Sequence, residues 1–275
     1  MVSQGTNFIL WRFVLAIVIV ILFAPKLSSA KQSKLMGMKM NMIDSCWRPN
    51  PEWRRHRQQL ATCSVGYAGK MTNNIGNDLM HYKVTDPSDD PTNPKPDGLL
   101  DVTRGSTNVT ISNNWFREQD KVMLLGHADG YVRDKNMKVT VVYNHFGPNC
   151  NQRMPRIRHG YAHVANNLYF GWMQYAIGGS MGPSLKSEAN LFIAPKIGSK
   201  EVTWRKIGNT SGDKWEFHSV RDAFENGASF AVTKGGRVPK PNYRKKQNFK
   251  VVDVKSVRSL TRSAGAFQCS RTSIC

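Results

Sequence analysis

Short β-branched runs recur along the chain, and each ends in Asn, a variable residue and then Phe or Tyr. The copies occupy residues 109–116 (VTISNNWF), 139–146 (VTVVYNHF) and 163–169 (HVANNLY), with a weaker fourth at 187–192 (SEANLF). Their asparagines, at spacings of 30, 23 and 23 residues, are Asn114, Asn144, Asn167 and Asn190. A period in the twenties with one short strand per repeat is typical of a solenoid.

The repeat favours stacked parallel strands over the alternatives. Leucine-rich repeats have a similar period, but their regular leucine pattern is absent. In a β-helix a repeated Asn at one corner can hydrogen-bond the turn of the next coil, while the aromatic residue fills the interior. A chance recurrence of the motif in a β-sandwich is disfavoured by four copies at near-constant spacing. We therefore predict an all-β fold, a parallel β-helix with single-stranded repeats.

The N-terminal segment has the pattern of a signal peptide. Arg12 precedes an apolar run over residues 13–24, and Ser28-Ser29-Ala30 offers the small residues that a signal peptidase needs. The run is short for a bilayer, which takes about 20 apolar residues. Extending it to residues 8–10 would bury Arg12 at a considerable energetic cost. We predict a signal peptide over residues 1–30, secretion to the cell wall, and no stable membrane anchor.

The cysteines agree with an oxidising compartment, where thiols pair when their spacing allows. Short separations favour the pairs Cys46–Cys63 and Cys269–Cys275. Cys150 is left over, and we interpret it as a small buried hydrophobe. Glycosylation sequons at Asn108 and Asn209 are compatible with secretion, although such motifs often match by chance.

Between the signal peptide and the repeats, the pattern is weak. Four alternating methionines occur within residues 31–45, which we predict to be mobile. Residues 52–60 suggest a short helix, and the Pro- and Asp-rich residues 85–96 a loop. The predicted organisation is a signal peptide (1–30), a cap segment (31–96), a β-helix (97–233) and a basic C-terminal segment (234–275).

The formal net charge of +20 points to a polyanionic partner. Residues 234–262 contain ten basic residues and one acid, Asp253, and such a stretch is usually a solvated, mobile tail. Nothing matches a nucleic-acid motif, and no aromatic platform interleaves with the basic run. For a secreted protein, an acidic polysaccharide is therefore the favoured partner, and we expect a monomer.

Six segments resemble one known family. They are 41–47 (NMIDSCW), 84–90 (VTDPSDD), 97–101 (DGLLD), 122–127 (VMLLGH), 152–160 (QRMPRIRHG) and 175–180 (YAIGGS). In this order they are similar to the plant pectate lyases and the related pollen allergens, and the similarity returns at residues 263–269. The R-x-P-x-x-R element at 153–158 is the most specific. The resemblance implies a right-handed parallel β-helix, which agrees with the repeat.

One departure from the family concerns the junction at Pro96 and Asp97. A long block separates these elements in the family, whereas here they are adjacent. The resemblance implies that several coils are absent, together with the first aspartate of a calcium site and a cysteine pair. A solenoid tolerates the loss of whole coils, because each coil mainly contacts its neighbours, but the exposed strand edge must be covered.

The resemblance also implies a reaction, the β-elimination of polygalacturonate assisted by Ca²⁺. Asp97 and Asp101 match calcium ligands, although spacing alone would favour a pair of turn acids. Arg153 matches the proposed base, which is demanding because a guanidinium ordinarily stays protonated. Lys121 and Arg158 match positions that bind substrate carboxylates. Without the family, the two arginines would be a basic surface loop.

Other readings stay open. The chain can be a non-catalytic pectin-binding or allergen-like pseudoenzyme, or the truncated chain can fail to fold. A hydrolytic polygalacturonase is disfavoured because the sequence shows no cluster of three aspartates in paired acid/base positions. The histidines lie in or beside strands without zinc-ligand spacing, so we expect stacked or hydrogen-bonded rings: His127, His145, His159 and His163. Trp172 and Tyr175 suit a sugar-binding groove and coil packing equally well.

Overall fold

Three parallel β-sheets form the sides of the molecule. The structure is a computed structural model that describes residues 40–50, 52, 59–72, 98–205, 216–231 and 237–266, which lie in one unit, Met40–Cys275. Sheet A contains β1 (Leu100–Val102), β4 (Met123–Leu125), β7 (Arg156–Ile157), β10 (Ile177–Gly179) and β13 (Thr203–Arg205). Sheet B contains β2 (Val109–Ser112), β5 (Lys138–Val142), β8 (Tyr161–Ala165), β11 (Ser184–Glu188) and β14 (Glu216–Val220). Sheet C contains β3 (Trp115–Phe116), β6 (His145–Phe146), β9 (Leu168–Phe170), β12 (Leu191–Ile193) and β15 (Ala223–Glu225).

Each turn of the chain contributes one strand to each sheet, so the described residues form five stacked coils. All strand pairs join neighbouring coils and are parallel. Within a strand, side chains alternate between the interior and the outer face, as in β5, where Val139 and Val141 are buried in the core and Thr140 points outward. The prediction of a right-handed parallel β-helix is confirmed.

The repeated aromatic residues fill the interior as predicted. Their rings form one stack along the axis, with successive centroid distances of 5.1, 4.7, 4.5 and 5.7 Å, through Phe116, Phe146, Tyr169, Phe192 and Phe224. The last member, Phe224, belongs to a fifth copy of the repeat. The sequence motif missed this copy because Asp222 occupies the position of the asparagine.

The asparagines form the predicted ladder at the corner between sheets B and C. In each coil the backbone N–H and the side-chain Nδ2 donate to Oδ1 of the next asparagine, as in Asn144 to Asn167 at 2.9 and 3.0 Å. Asn190 donates in the same way to Oδ1 of Asp222, at 2.7 and 3.2 Å. Burial raises the pKa of Asp222 to about 6, although hydrogen bonds from Ser187 and Asn190 act against this shift.

Two short helices precede the coils. Helix α1 (Met42–Trp47) begins at Asn41, whose side chain accepts a hydrogen bond from the Asp44 N–H at 3.0 Å. The prediction of a mobile segment is therefore wrong from residue 40 onward, because this cap and the buried Ile43 and Trp47 fix a helix.

The disulfide pairing is confirmed in its described part. Cys46 of α1 is bonded to Cys63 of helix α2 (Gln59–Cys63), and Cys150 is free and buried as expected. The predicted helix over 52–60 is described only at Glu52, a turn, and from Gln59 onward. Residues 1–39, 73–97 (with the predicted loop), Asn209 and the pair Cys269–Cys275 lie outside the described residues.

The basic C-terminal segment packs against the outer face of sheet B. Tyr243, Phe249 and Leu260 join Tyr143 and α1 in an apolar cluster, and a 3₁₀ helix (Val254–Ser256) leads into helix α3 (Val257–Leu260). The expectation of a solvated tail is wrong for residues 237–262, because apolar side chains interspersed among the cations anchor the segment. A second 3₁₀ helix, Val132–Asn136, connects β4 to β5.

A polar network lies beneath this segment. Glu188 contacts His163 at 3.0 Å, Lys186 at 2.5 Å and Arg221 at 2.7 Å. His163 also contacts the Tyr243 hydroxyl through Nδ1, at 2.7 Å. Although burial opposes the shift, hydrogen bonds from the three basic side chains lower the pKa of Glu188. The network joins three successive coils to the C-terminal segment.

Strands β1, β2 and β3 lie at the N-terminal edges of their sheets. Residues 65–68 of the predicted cap segment contact outward side chains of sheet B: Ala68 N–H donates to Thr110 Oγ1 at 3.1 Å, and Tyr67 N–H to Thr140 Oγ1 at 3.0 Å. The described part of the cap therefore covers a face of the solenoid. Among the described residues, no helix is long and apolar enough to cross a bilayer.

Candidate active site

Sheet A carries the predicted site residues that the structure describes. Asp101 lies on β1, Lys121 lies two residues before β4, and Arg153 and Arg158 flank β7. These three strands are direct neighbours in the sheet. Asp97 is outside the described residues, so the predicted pair with Asp101 is not described. The coils thus bring four of the five predicted side chains to adjacent strands.

One outward column crosses the sheet. Asp101 pairs with Leu124, Leu124 with Arg156, Arg156 with Gly178, and Gly178 with Trp204. Neighbours of the column on the same strands, such as Val102 and Ile157, are in the core. Because strand side chains alternate between faces, the column residues point away from the interior. Asp101 is exposed on this outer face.

An extra residue precedes β7. Lys121 pairs with Gln152, whereas Leu124 pairs with Arg156, so three steps on one strand match four on the next. This two-against-one arrangement is a β-bulge, which redirects a side chain. Arg153 lies within it, with a φ of +63°. A bulky residue adopts this left-handed region only at an energetic cost, and such costs occur often at functional sites.

Arg153 lies among polar and charged neighbours. The Asp120 carboxylate and Tyr175 are close enough to interact with it electrostatically or through a hydrogen bond, and Lys121 interacts with the same Asp120 carboxylate. A hydrogen bond from Asn151 is the main reason that the pKa of Asp120 is lowered. The Nε of Arg153 is buried without a hydrogen-bond acceptor among the described residues.

Arg158 already has protein partners. Its Nε is 3.2 Å from the Asp129 carboxylate, and one terminal nitrogen donates to the Gly126 carbonyl at 3.0 Å. The Arg158 side chain is 16% exposed. A substrate carboxylate at this position would share the guanidinium with Asp129.

Arg156 lies between the two predicted arginines. Its guanidinium carbon is 5.4 Å from the centre of the Trp204 ring, which stacks at 5.2 Å on Tyr175. A side chain at Gly178 would collide with the Tyr175 ring, so glycine makes room for the stack. Tyr175 is buried, which settles the open question in favour of packing beside the arginines, and Trp172 is in the core.

The cations of this cluster affect one another. Loss of hydration lowers the pKa of Arg156, Tyr175 opposes that shift, and the charges of Arg158 and Arg153 add to it. Burial raises the pKa of Tyr175, and the charges of Arg156 and Arg153 act against it. Positive charge is therefore concentrated where hydration is reduced, which suits an anionic ligand.

The donors near Asp101 fit an open calcium site better than a closed one. The Asp101 carboxylate lies over Gly98, where any side chain would meet Oδ1 at 2.4 Å. Within the described ranges no group of three His, Cys, Asp or Glu side chains is placed to hold a metal. Ca²⁺ takes six to eight oxygen ligands. A cation bound here would draw further oxygens from Asp97, from solvent or from a polyanion.

The histidines have structural contacts, as predicted. His145 stacks on Trp115 at 5.4 Å, and His127 meets Tyr131 edge-on at 5.5 Å. His159 contacts the Asp129 carbonyl at 2.8 Å, and His163 belongs to the Glu188 network.

Sequence reasoning missed several residues of the cluster: Asp120, Asp129, Arg156 and Trp204. Asp120 and Arg156 are adjacent to matched motif positions, and this adjacency could have identified them in the sequence. No sequence signal identifies Trp204, because only the strand register brings it beside Arg156.

Comparisons with known proteins agree with this geometry. The family profile described as "Pectate lyase" matches residues 72–265. The protein named "Probable pectate lyase 4" of Arabidopsis thaliana is 35% identical over 340 positions, covering 86% of this chain and 91% of the relative. Because 340 positions exceed the 275 residues of this chain, the relative has a long stretch without a counterpart here. This agrees with the loss of internal coils.

Two further matches are higher in identity and shorter in extent. Pectate lyase 1 of Juniperus virginiana is 50% identical over 173 residues, which are 62% of this chain and 47% of the relative. The crystal structure of Jun a 1, the major allergen from cedar pollen, is also 50% identical, with a TM-score of 0.59 over 62% of this chain and 50% of that chain. In these matches the chain spans about half the length of its relatives.

Proposed function

This chain belongs to the pectate lyase family, and on that premise we propose that it cleaves de-esterified polygalacturonate by calcium-dependent β-elimination. One observation carries the proposal. Asp101, Lys121 and Arg153 lie on or beside three neighbouring strands of sheet A, and a β-bulge gives Arg153 a backbone conformation that strands otherwise avoid.

The reaction removes the proton at C5 of a galacturonate unit, next to its carboxylate. The C5–H electron pair forms the C4–C5 double bond, the C4–O bond breaks, and the leaving oxygen takes a proton from solvent. Arg153 receives the C5 proton in this scheme, which requires the neutral guanidine. Arg156 lies close enough for the two charges to interact, and the Arg153 Nε has no acceptor among the described groups.

Two further residues bind the substrate's charge. Lys121 offers an ammonium group beside the Asp120 carboxylate, with which Arg153 also interacts, and Arg158 offers the remaining donors of its guanidinium. Because the negative charge on the substrate carboxylate grows as the C5 proton leaves, cations fixed beforehand stabilise the transition state more than the ground state.

Calcium would be held by Asp97 and Asp101. A bound Ca²⁺ would supply a hard positive charge next to the substrate carboxylate and would make the C5 proton more acidic. Asp101 is exposed on the outer face of β1, the side on which we expect a polysaccharide to approach.

The test uses the secreted full chain with polygalacturonate and Ca²⁺ at alkaline pH, following the ultraviolet absorbance of the unsaturated product. Arg153→Ala should lower the rate by about 10²-fold or more, as expected for loss of a general base. Arg117→Ala is the matched control, because Arg117 lies over the exposed Trp115 on sheet C. A parent protein that forms no more product than Arg153→Ala contradicts the proposal.

The alternative is a non-catalytic pectin-binding protein. It is favoured by the Asp129 contact of Arg158 and by the small number of described carboxylates near Asp101. In that case polygalacturonate binding persists after chelation of calcium, and no product forms. The two functions are separated by measuring binding and product release on the same sample.

Secretion follows from the same proposal, with residues 1–30 as signal peptide, 31–96 as cap, 97–233 as the lyase domain and 234–275 as the basic segment. The mature protein is proposed to be a monomer. N-terminal sequencing of the secreted product and its mass in solution test both statements.

A further inference from the structure

We propose that Arg156 binds the carboxylate of a second galacturonate unit, so that two nearby units must both be unesterified. The inference deepens the proposed function by adding a residue that determines specificity, and it rests on that function for the identity of the ligand.

The position of Arg156 supports this role. It shares the outward column of sheet A with Asp101, with Leu124 on the strand between them. Neighbouring strands are about 4.8 Å apart, so the two residues lie about 10 Å apart along the column. The charges of Arg153 and Arg158 both act on Arg156. A polyanion that reaches Arg153 therefore passes within the reach of Arg156.

The Arg156 side chain is held in place before any ligand arrives. The guanidinium carbon of Arg156 is 5.4 Å from the centre of the Trp204 ring. The Trp204 ring in turn stacks on the ring of Tyr175. Gly178 allows this arrangement because Tyr175 occupies the space of a side chain. Fixing a long side chain in advance reduces the entropy lost on binding.

The hydrogen-bonding capacity of Arg156 is also incompletely used. Its Nε is buried without an acceptor among the described residues, whereas Arg158 beside it has both Asp129 and a carbonyl. A buried donor without an acceptor requires an explanation, because buried polar groups are usually paired. A carboxylate is the natural ligand for a guanidinium, which it can meet with two parallel hydrogen bonds.

The competing explanation is a purely structural stack of Arg156 on Trp204. The chain offers a matched comparison, since Arg117 lies over the Trp115 ring at 5.1 Å on another sheet. If stacking alone matters, replacing either arginine affects stability in a similar way and leaves substrate binding unchanged.

The experiment measures binding of oligogalacturonates in an Arg153→Ala background, so that no cleavage interferes. Arg156→Gln should weaken binding of the unesterified oligomer about 10- to 100-fold, the effect of one charge-assisted pair. Arg156→Lys should fall between Arg156→Gln and the parent, and Arg117→Gln should match the parent. The methyl-esterified oligomer should bind weakly to all variants and should lose the dependence on Arg156.

The outcomes separate the two proposals. Binding that depends on Arg156, in a protein with intact Arg153 that releases no product, refutes the lyase and supports this inference. Equal binding by parent and Arg156→Gln, with matching thermal melts, overturns the inference and leaves the lyase standing. A parent that binds no oligogalacturonate overturns both.

Discussion

The outer faces of sheets A and B both carry clustered cations, yet they use them differently. On sheet B, Lys186, Arg221 and His163 surround Glu188, and Tyr243 and Phe249 of the C-terminal segment cover His163. On sheet A, Arg153 and Arg156 each have a buried Nε that no described residue accepts from. On sheet B the basic side chains share one carboxylate partner, whereas on sheet A two guanidinium groups each keep a donor without an acceptor among the described residues.

The difference shows that one face of a solenoid can serve stability while another serves ligand binding. Every coil contributes to both faces, so the two faces share one core and one register. Changes on sheet B should therefore alter stability without altering ligand binding, and changes on sheet A should do the reverse. Four variants test the stability side of this separation, and the first of them also measures ligand binding.

The largest effect is expected from Glu188→Gln. Removing the carboxylate leaves three basic groups in a partly buried site without their counter-charge, and we expect a loss of about 4 kcal/mol in the free energy of unfolding. Urea denaturation at pH 7 measures this loss. Polygalacturonate binding by the folded fraction should be unchanged, and a weakened affinity would contradict the division between the faces.

The disulfide should rank next. Replacing Cys46 and Cys63 by Ser frees a loop whose ends are 17 residues apart and should cost about 3 kcal/mol through the entropy of the unfolded chain. Thermal melts of the double variant and of the reduced parent should agree. Melting temperatures equal to that of the oxidised parent would show that α1 and α2 do not contribute to the stability of the coils.

Asp222→Asn should stabilise the protein. In the folded protein the Asp222 pKa of about 6 lies above the ordinary value of 3.8. The protonated carboxyl group therefore stabilises the fold at low pH, and this stabilisation is lost as the pH rises through 6. Asn continues the ladder without a charge, and the gain should reach about 2 kcal/mol at pH 8. Unfolding at pH 4 is the control, where the gain should vanish. A gain independent of pH would rule out the carboxylate as its cause.

The smallest effect is expected from Tyr243→Phe. The change removes hydrogen bonds to Thr140 Oγ1 and His163 Nδ1 and keeps the apolar packing of the ring. We expect a loss of about 1 kcal/mol in the free energy of unfolding. Leu60→Ala, at a position of α2 that is 46% exposed, serves as a background of ordinary surface change. A variant as stable as its parent would exclude the Tyr243 hydroxyl as an anchor of the C-terminal segment.

Much of the fold could be predicted because its two repeating contacts each require one kind of residue. The ladder requires a side chain that both donates and accepts hydrogen bonds, and the axial stack requires an aromatic ring. The repeated asparagines and aromatic residues between positions 114 and 192 therefore predict the coils directly. The asparagine motif does not detect the fifth coil, because Asp222 stands at that position and an ionised carboxylate only accepts hydrogen bonds. The C-terminal segment was misjudged because its charge conceals the spacing of Tyr243, Phe249 and Leu260.

The candidate site was less predictable. Asp101, Lys121, Arg153 and Arg158 came from resemblance, and short patterns alone would have indicated surface loops. Arg156 and Trp204 are far apart in sequence and meet through the register of β7, β10 and β13. The contact between Arg156 and Trp204 depends on the length of the coils, and a local pattern of polar and apolar residues does not predict that length.

The bulge before β7 makes the orientation of Arg153 depend on residue count as well as on residue identity. Because side chains alternate sides along a strand, shortening residues 152–155 by one would turn the guanidinium toward the core while preserving every matched arginine and proline. A one-residue deletion in this turn would thus abolish the chemistry of a chain that an alignment still scores as intact.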